Sequence, residues 1–216
     1  MTDLAVVNLS IENLKIFKLA EILEAGEVAG LKSQLKAAPP FRESSFTKEN
    51  LANCRNASVL ILLFPSKDDV NEIEGVLIER SEYDGVHSKQ IGFPGGERDS
   101  NDVGDIETAI RECKEELGVK VELENVLGQL TPLYIPPSNF LVKPYVAWLS
   151  ARPLFSIDPK EVNSLLLFQV SDLAEESNWR DYTVNGVLVP GIKFGKHLVW
   201  GATAMMLREF IDTFAK

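Results

Sequence analysis

The chain has 216 residues, of which 45% are hydrophobic and 25% are charged, and its formal net charge at pH 7 is −10. This length and apolar fraction suffice to bury one sizeable core, which excludes a long disordered protein and favours one domain with an appended terminal segment. The negative charge disfavours nonspecific binding to nucleic acids or to membrane surfaces, because both are polyanionic.

Nothing in the sequence indicates export or membrane insertion. No stretch approaches the roughly 18 consecutive apolar residues of a membrane-spanning helix, and no basic region precedes an apolar one near the N-terminus, as it does in a secretory signal. The two cysteines, Cys54 and Cys113, do not form a disulfide framework or a metal-binding pair. We therefore expect a soluble, cytoplasmic protein.

The N-terminal residues 1–40 are predicted to form a helical extension. Apolar residues recur with a rough 3.6-residue rhythm over residues 9–36, and Pro39 and Pro40 end this pattern. We expect the extension to pack on one domain that comprises residues 41–216.

Two strands are predicted next. The run ASVLILLFP, residues 57–65, is short, continuous and rich in branched side chains, which is typical of a buried strand. The run EGVLIERS, residues 74–81, predicts a second strand after a polar connection.

A charged helix is predicted after a loop over residues 82–104. Asp105 can cap its N-terminus, and Gly118 supplies the left-handed residue that ends it after Leu117. Its apolar residues lie three or four positions apart and are expected to face the core: Ile106, Ala109, Ile110, Cys113 and Leu117. Cys113 is therefore interpreted as a packing residue rather than a catalytic one.

The next segments are predicted as strands, a short helix and a hairpin. Residues 120–135 and 141–151 alternate well enough to be strands, and residues 161–173 predict a short helix or turn that runs into a strand. The pair Asn185-Gly186 lies between alternating apolar residues, which indicates a hairpin.

The chain closes with a predicted amphipathic helix over residues 201–216. Strands and helices mix without a strict βαβ rhythm. We therefore expect an α+β fold, in which a mixed sheet is flanked by helices on both faces.

Three acidic residues cluster on one side of the charged helix. Glu112 and Glu116 are one turn apart, and Glu115 lies beside them. Bare carboxylates this close raise one another's pKa and weaken the helix. A hard cation would remove that penalty, and Mg²⁺ is typically held by a few carboxylates together with substrate phosphates.

A solvated acidic face is the alternative interpretation of this helix, with Arg111 and Lys114 as ordinary ion-pair partners. The preceding Gly95-Gly96 favours a ligand site instead, because two glycines let the backbone turn sharply and approach a ligand closely.

Residues 111–119, RECKEELGV, resemble the second half of the Nudix hydrolase box, an Arg-Glu followed by a Glu-Glu and a glycine. The first half matches when one residue is inserted, with Gly96 as its glycine and Asp99 and Asp102 as acidic loop residues. This longer version resembles the branch of the family that hydrolyses coenzyme A and its derivatives.

Three further segments are similar to the same branch. Residues 77–96, LIERSEYDGVHSKQIGFPGG, resemble its upstream motif, although Lys89 stands where a glycine is expected. Residues 136–148 and 200–205 also look like this branch.

The resemblance implies a Nudix α/β/α sandwich and a diphosphatase that requires Mg²⁺ or Mn²⁺. It implies that Glu112, Glu115, Glu116 and the carbonyl of Gly96 hold the metal. It also implies that Arg111 pairs within the box and holds the glutamates in place. The general base is not assigned by the box, so Glu115, Glu161 and Glu175 all stay open as candidates.

The expected substrate is a coenzyme A-like nucleotide, cleaved to 3′,5′-ADP and 4′-phosphopantetheine or its acyl form. Arg80, His87, Lys89 and the backbone of Gly95 and Gly96 are the predicted substrate-binding residues. ADP-ribose or another dinucleotide is an alternative substrate, and a nucleotide-sensing module without catalysis is an alternative function. We expect a monomer or homodimer whose partner is this small molecule, and neither nucleic acid nor membrane.

Overall fold

The structure is a computed structural model that describes residues 11–42, 53–69, 71–81 and 90–216. Its helices are α1 (Ile11–Glu24), α2 (Leu31–Gln34), α3 (Asp105–Leu117), α4 (Val170–Ala174) and α5 (Gly201–Phe214). Its strands are β1 (Arg55–Pro65), β2 (Ile73–Arg80), β3 (Ile91–Gly92), β4 (Gly95–Glu97), β5 (Val126–Gln129), β6 (Leu133–Ile135), β7 (Phe140–Trp148), β8 (Val162–Gln169), β9 (Trp179–Val184), β10 (Val187–Phe194) and β11 (His197–Trp200).

Strand β1 lies at the centre of a mixed sheet. It runs parallel to β7 and antiparallel to β2 and β4. Strands β3 and β8 pair with β2, whereas β5 and β6 pair with β7. Strands β9, β10 and β11 form a separate three-stranded antiparallel sheet. Because β1 has neighbours on both edges and helices on both faces, its apolar run is continuous rather than alternating.

The side chains of β1 alternate between two apolar clusters, one on each face of the sheet. Leu60 and Leu62 pack with Cys113 and other apolar residues of α3. Ile61 and Leu63 belong to the opposite cluster, to which α1 and α5 contribute. The sheet thus lies between α3 on one side and α1 with α5 on the other, which confirms the predicted α/β/α sandwich.

The N-terminal segment is helical, as predicted, but it is interrupted. Helix α1 ends at Glu24, and Gly26 and Gly30 follow with φ values of 69° and 76°. A left-handed residue cannot continue a right-handed helix, so α2 starts anew after Gly30 and ends in a single 3₁₀ turn. The prediction of a continuous helical segment over residues 9–36 is therefore wrong for residues 25–30, and residues 9 and 10 lie outside the described ranges.

Glu209 of α5 ties this segment to the domain. Its buried carboxylate accepts hydrogen bonds from the backbone N–H groups of Gly30 and Thr131, at 3.1 and 3.0 Å, and from Nε2 of Gln34 at 2.7 Å. A buried carboxylate with three donors is satisfied in this arrangement only, so these contacts hold α2 against α5. The domain boundary at residue 40 stays a prediction.

Two other segments differ from the prediction. Residues 120–135 are not one strand but a 3₁₀ turn followed by β5 and β6, and Pro132, which has no N–H to donate to a ladder, separates those two strands. In residues 161–173 the predicted order is reversed. Strand β8 comes first, because it pairs with β2 along most of that strand, and α4 follows it.

Helix α3 begins and ends close to the predicted residues. Gly104, not Asp105, is its N-cap, and no side chain caps it. Asp105 is instead the first helical residue, and its carboxylate forms an ion pair with Lys143. The left-handed Gly118, with φ of 67°, ends the helix, and Cys113 is fully buried, as predicted.

The C-terminal predictions are confirmed. Asn185 and Gly186, with φ values of 49° and 78°, connect β9 to β10 in a tight hairpin. Helix α5 closes the described chain and is largely buried. None of the helices in the described ranges combines the length and the apolar character of a bilayer crossing.

Candidate active site

The Gly95-Gly96 segment brings the backbone of β4 against helix α3. Gly95 pairs with Val59 and Gly96 with Ser58 of the central strand β1. A Cβ atom at Gly96 would lie 2.5 Å from the carboxylate of Glu112, so any larger residue here would displace that carboxylate. Gly95 has φ of 150°, a conformation that side chains rarely adopt. Both glycines are therefore required by the contact between loop and helix.

Three carboxylates converge where β4 meets α3. Oxygen atoms of Glu112, Glu116 and Glu161 all lie within 4.8 Å of one another. Glu112 and Glu116 project from successive turns of α3, as predicted. Glu161 comes from the turn before β8, where its carbonyl accepts a hydrogen bond from the backbone N–H of Ser81 at 2.9 Å.

The two carboxylates of α3 are removed from solvent. The side chain of Glu116 is 1% exposed, and burial raises the pKa of Glu116 to about 7 in spite of Arg80 and the N–H of Gly95. Burial also raises the pKa of Glu112, an effect that Arg111 opposes. Desolvated carboxylates at this spacing form a donor set that fits a hard divalent cation, because the cation removes both the repulsion and the desolvation penalty.

Arg80 lies between the carboxylates and the glycine loop. Its Nη1 is 3.4 Å from Oε1 of Glu116, and its Nη2 donates to the carbonyl of Gly95. The N–H of Gly95 in turn donates to Oε2 of Glu116 at 2.8 Å. Arg80 therefore holds Glu116 and the loop together, and its predicted contact with substrate phosphate stays a prediction.

The side chain of Arg111 connects helix α3 to β4 and the loop that follows it. Its Nε and Nη2 donate to the two carboxylate oxygens of Asp102, at 2.9 and 3.0 Å, and Nη2 also donates to the carbonyl of Glu97 at 3.3 Å. Its Nη1 donates to Glu112 at 2.9 Å and to Glu115 at 2.7 Å. A guanidinium presents its donors in a fixed fork, so Arg111 orients the loop and two glutamates at once.

Of the remaining predicted site residues, the structure describes Glu115 and Gly96 but not His87 and Lys89. Glu115 has a side chain that is 52% exposed, and it pairs with Arg111 rather than joining the three converging carboxylates. Gly96 lies against the carboxylate of Glu112, and the predicted role of its carbonyl as a metal ligand stays a prediction. His87 and Lys89 lie outside the described residues.

Glu161 is the residue of this cluster that the predicted metal set lacks. The sequence marked it only as one of three candidate bases, because it lies 45 positions after Glu116 with no motif around it. Its position depends on the long antiparallel pairing between β2 and β8, which periodicity does not reveal.

A cavity of about 1150 Å³ adjoins the site. Arg80, Gly95 and Gly96 line the end next to the carboxylates. Farther along, its wall is mostly apolar, and it combines segments that are distant in sequence: Pro39, Phe41, Ile135, Pro136, Phe140, Trp200 and Met206. The cavity can thus hold an extended ligand with one end at the carboxylates.

A family profile described as "NUDIX domain" matches residues 55–185. The chain belongs to the Nudix family. It is a Nudix hydrolase, an enzyme of the class that acts on phosphoric anhydride bonds, and Nudix hydrolases generally use divalent cations such as Mg²⁺ or Mn²⁺.

Relatives extend the likeness beyond the matched domain. The chain is 30% identical over 181 residues to the uncharacterized Nudix hydrolase NudL of Photorhabdus laumondii, with 82% of this chain and 90% of that protein covered. It is 33% identical over 129 residues to the mitochondrial coenzyme A diphosphatase NUDT8 of Mus musculus, with 56% of this chain and 61% of that protein covered.

A solved structure supports the fold. A MutT/nudix family protein from Enterococcus faecalis superposes with a TM-score of 0.56 at 17% identity, covering 94% of this chain and 74% of that one. At this identity the likeness concerns the fold alone.

Proposed function

We propose that this Nudix hydrolase cleaves the diphosphate of coenzyme A or its derivatives, giving 3′,5′-ADP and 4′-phosphopantetheine or its acyl form. The observation that carries the proposal is the cluster of Glu112, Glu116 and Glu161 at one end of a long cavity that becomes apolar farther on. Such a shape suits a diphosphate with a long, largely apolar arm. The similarity to a coenzyme A diphosphatase supports the same substrate.

Glu112, Glu116, Glu161 and the carbonyl of Gly96 are the groups that would hold Mg²⁺ or Mn²⁺. When bound there, the cation would neutralise charge on the diphosphate and would lower the pKa of a water ligand, which is the chemistry that hydrolysis at neutral pH needs. Without it, two polyanionic surfaces would repel each other, since the chain carries a net charge of −10.

Each basic residue of the site has a separate task. Arg111 keeps Glu112 in place and fixes the loop that carries Gly96, through its paired bonds to Asp102. Arg80 contacts both Glu116 and the Gly95 carbonyl at the edge of the cavity, and its proposed task is to donate to a phosphate oxygen of the substrate.

The deciding experiment compares coenzyme A, dephospho-coenzyme A and ADP-ribose at equal concentrations with Mg²⁺ or Mn²⁺. Mass spectrometry should find 3′,5′-ADP and 4′-phosphopantetheine, with the highest kcat/KM for coenzyme A or an acyl derivative. Faster hydrolysis of ADP-ribose would keep the Nudix chemistry and overturn the coenzyme A assignment. The Glu116→Gln variant should hydrolyse each of the three several orders of magnitude more slowly than the wild type.

A further inference from the structure

Part of the far wall of the cavity is built from chain outside the matched Nudix domain. Phe41 and Arg42 come from the N-terminal segment, whereas Trp200 and Met206 come from β11 and α5. The family match covers residues 55–185 only. The lining at this end of the cavity therefore includes residues that the shared domain does not supply.

Arg42 is a desolvated cation at this far end. Its guanidinium is half-buried and donates to the carbonyl of Tyr134, while its backbone N–H donates to the carbonyl of Pro39 at 2.9 Å. Within the described ranges, no carboxylate lies at ion-pair distance from it. Burial lowers the pKa of Arg42, because it removes water from around the charged guanidinium.

The two other arginines that line the cavity are already paired. Arg55 donates to both carboxylate oxygens of Glu97 and stacks over the ring of Phe140, 4.3 Å from the centroid. Arg80 is engaged with Glu116. The described residues that line the cavity include three arginines and one glutamate, although the chain has a net charge of −10. An arginine thus lies near each end of the cavity: Arg80 pairs with Glu116 at one end, whereas Arg42 has no carboxylate partner among the described residues at the other.

The strand register gives the distance between the Arg80 end and the Arg42 end of the cavity. Gly95, next to Arg80, is opposite Val59 of β1, whereas Tyr134, next to Arg42, is opposite Leu141 of β7 and thus level with Asn56 of β1. The carbonyls of Gly95 and Tyr134 are therefore offset by three residues along the strand direction and by three strand-to-strand spacings across the sheet. These offsets correspond to a separation of about 17 Å. The arginine side chains shorten the gap, but one diphosphate cannot contact both.

We propose that Arg42 forms a second anion subsite, which binds a phosphate or carboxylate that the substrate carries at a distance from its scissile diphosphate. A guanidinium suits either group, since both accept its paired donors. This inference rests on the proposed hydrolysis of coenzyme A. Coenzyme A derivatives offer two such groups, namely the 3′-phosphate of the nucleotide and the free carboxylate of a dicarboxylic acyl thioester.

The test measures kcat/KM for two pairs of substrates. Coenzyme A and dephospho-coenzyme A differ in the 3′-phosphate only, whereas succinyl-coenzyme A and butyryl-coenzyme A differ in the terminal carboxylate. The full-length Arg42→Gln variant removes the charge and keeps hydrogen-bonding capacity. It should lower the preference within one of the pairs by about tenfold to hundredfold, chiefly through KM, as expected for a lost charge-assisted contact.

Two controls separate binding from folding. Arg42→Lys keeps the charge without the planar fork and should recover part of the lost preference. Arg180→Ala removes an exposed arginine that donates to the carbonyl of Ser177, away from the cavity lining, and should leave both preferences unchanged. Thermal melts of all variants establish that the compared proteins are folded.

Each outcome decides the inference. A loss confined to the first pair assigns the subsite to the 3′-phosphate, and a loss confined to the second pair assigns it to a carboxylate at the end of the arm. Unchanged preferences in a folded Arg42→Gln variant would overturn the subsite while leaving the proposed function intact. A wild-type protein that hydrolyses no coenzyme A compound would overturn the proposed function and the subsite with it.

Discussion

Glu116 combines deep burial with a charge that the fold compensates only in part. Arg80, at 3.4 Å, and the N–H of Gly95 are its partners, yet burial still raises its pKa to about 7. A site that holds an acid in this state stabilises a bound cation more than an exposed carboxylate would. Its neighbour Glu115 is half-exposed and paired with Arg111, so the two residues should contribute unequally.

Replacing Glu116 by Gln should lower kcat by several orders of magnitude, because the substitution removes a metal ligand and keeps the shape of the side chain. The melting temperature of the metal-free protein should not fall, since an unfavourably buried acid is replaced by a neutral amide. Rates and melts measured on the same sample check both statements. Glu124→Gln, at an exposed position, is the matched control. A near-normal rate for Glu116→Gln would show that Glu116 is not a required metal ligand.

Glu161 is expected to act through the metal as well. Glu161→Gln should weaken Mn²⁺ binding by tenfold or more, because the convergence with Glu112 and Glu116 is lost. A calorimetric titration with Mn²⁺ measures this directly. Glu175→Gln is the control, since Glu175 is another exposed glutamate whose side chain accepts from Ser177 instead. Equal affinities for the two variants would remove Glu161 from the metal site.

At the scale of elements, one ion pair joins the loop after β4 to helix α3. Asp102 accepts two hydrogen bonds from Arg111, one from Thr108 at 2.8 Å and one from the backbone N–H of Asp99 at 2.9 Å. The Arg111 guanidinium above all holds the pKa of Asp102 well below its usual range. The loop that carries Gly96 is thereby fixed relative to Glu112.

This pair predicts a pH dependence of stability. A carboxylate whose folded pKa is depressed stabilises the fold above its unfolded pKa of about 3.9, and that contribution is lost as the pH falls towards the folded pKa. Asp102→Asn should therefore lower the free energy of unfolding by about 1–3 kcal/mol at pH 7, and the difference from wild type should shrink below about pH 4. Urea unfolding at pH 7, 5 and 3 measures it, with the exposed Asp181→Asn as control. A difference that does not change with pH would mean that the pair contributes little.

The elements that could be predicted are those whose signal is local. Helix α3 is predicted by its apolar residues three and four positions apart and by Gly118 at its end. The hairpin is predicted by Asn185-Gly186. For residues 161–173 the sequence predicts the wrong order of helix and strand, because a short apolar run fits either element equally well and only the pairing with β2 decides. The same pairing places Glu161, so the third carboxylate could not be predicted as a ligand.

At the scale of the whole molecule, segments near both ends of the chain line the cavity. Helix α5 holds the N-terminal segment through Glu209, and the residues that follow α2 then reach the cavity with Phe41 and Arg42. The sequence predicts an extension that packs on the domain, but it contains no pattern that places residues 39–42 at the cavity. Their position arises from tertiary contacts such as the one between Gln34 and Glu209, which are 175 residues apart.

Because the proposed ligands belong to β4, to helix α3 and to the turn before β8, bound metal should stabilise the whole fold. A ligand that binds only the folded state adds about 2.7 kcal/mol at one hundred times its Kd, which raises the melting temperature by several degrees for a chain of this size. Chelation should therefore lower the melting temperature and abolish hydrolysis together, and Mg²⁺ or Mn²⁺ should restore both. Glu116→Gln supplies the control, since its melting temperature should respond far less to the cation. Full hydrolytic activity after exhaustive chelation would contradict the proposed metal dependence. If the cation raised the melting temperatures of Glu116→Gln and wild type equally, it would bind elsewhere on the molecule.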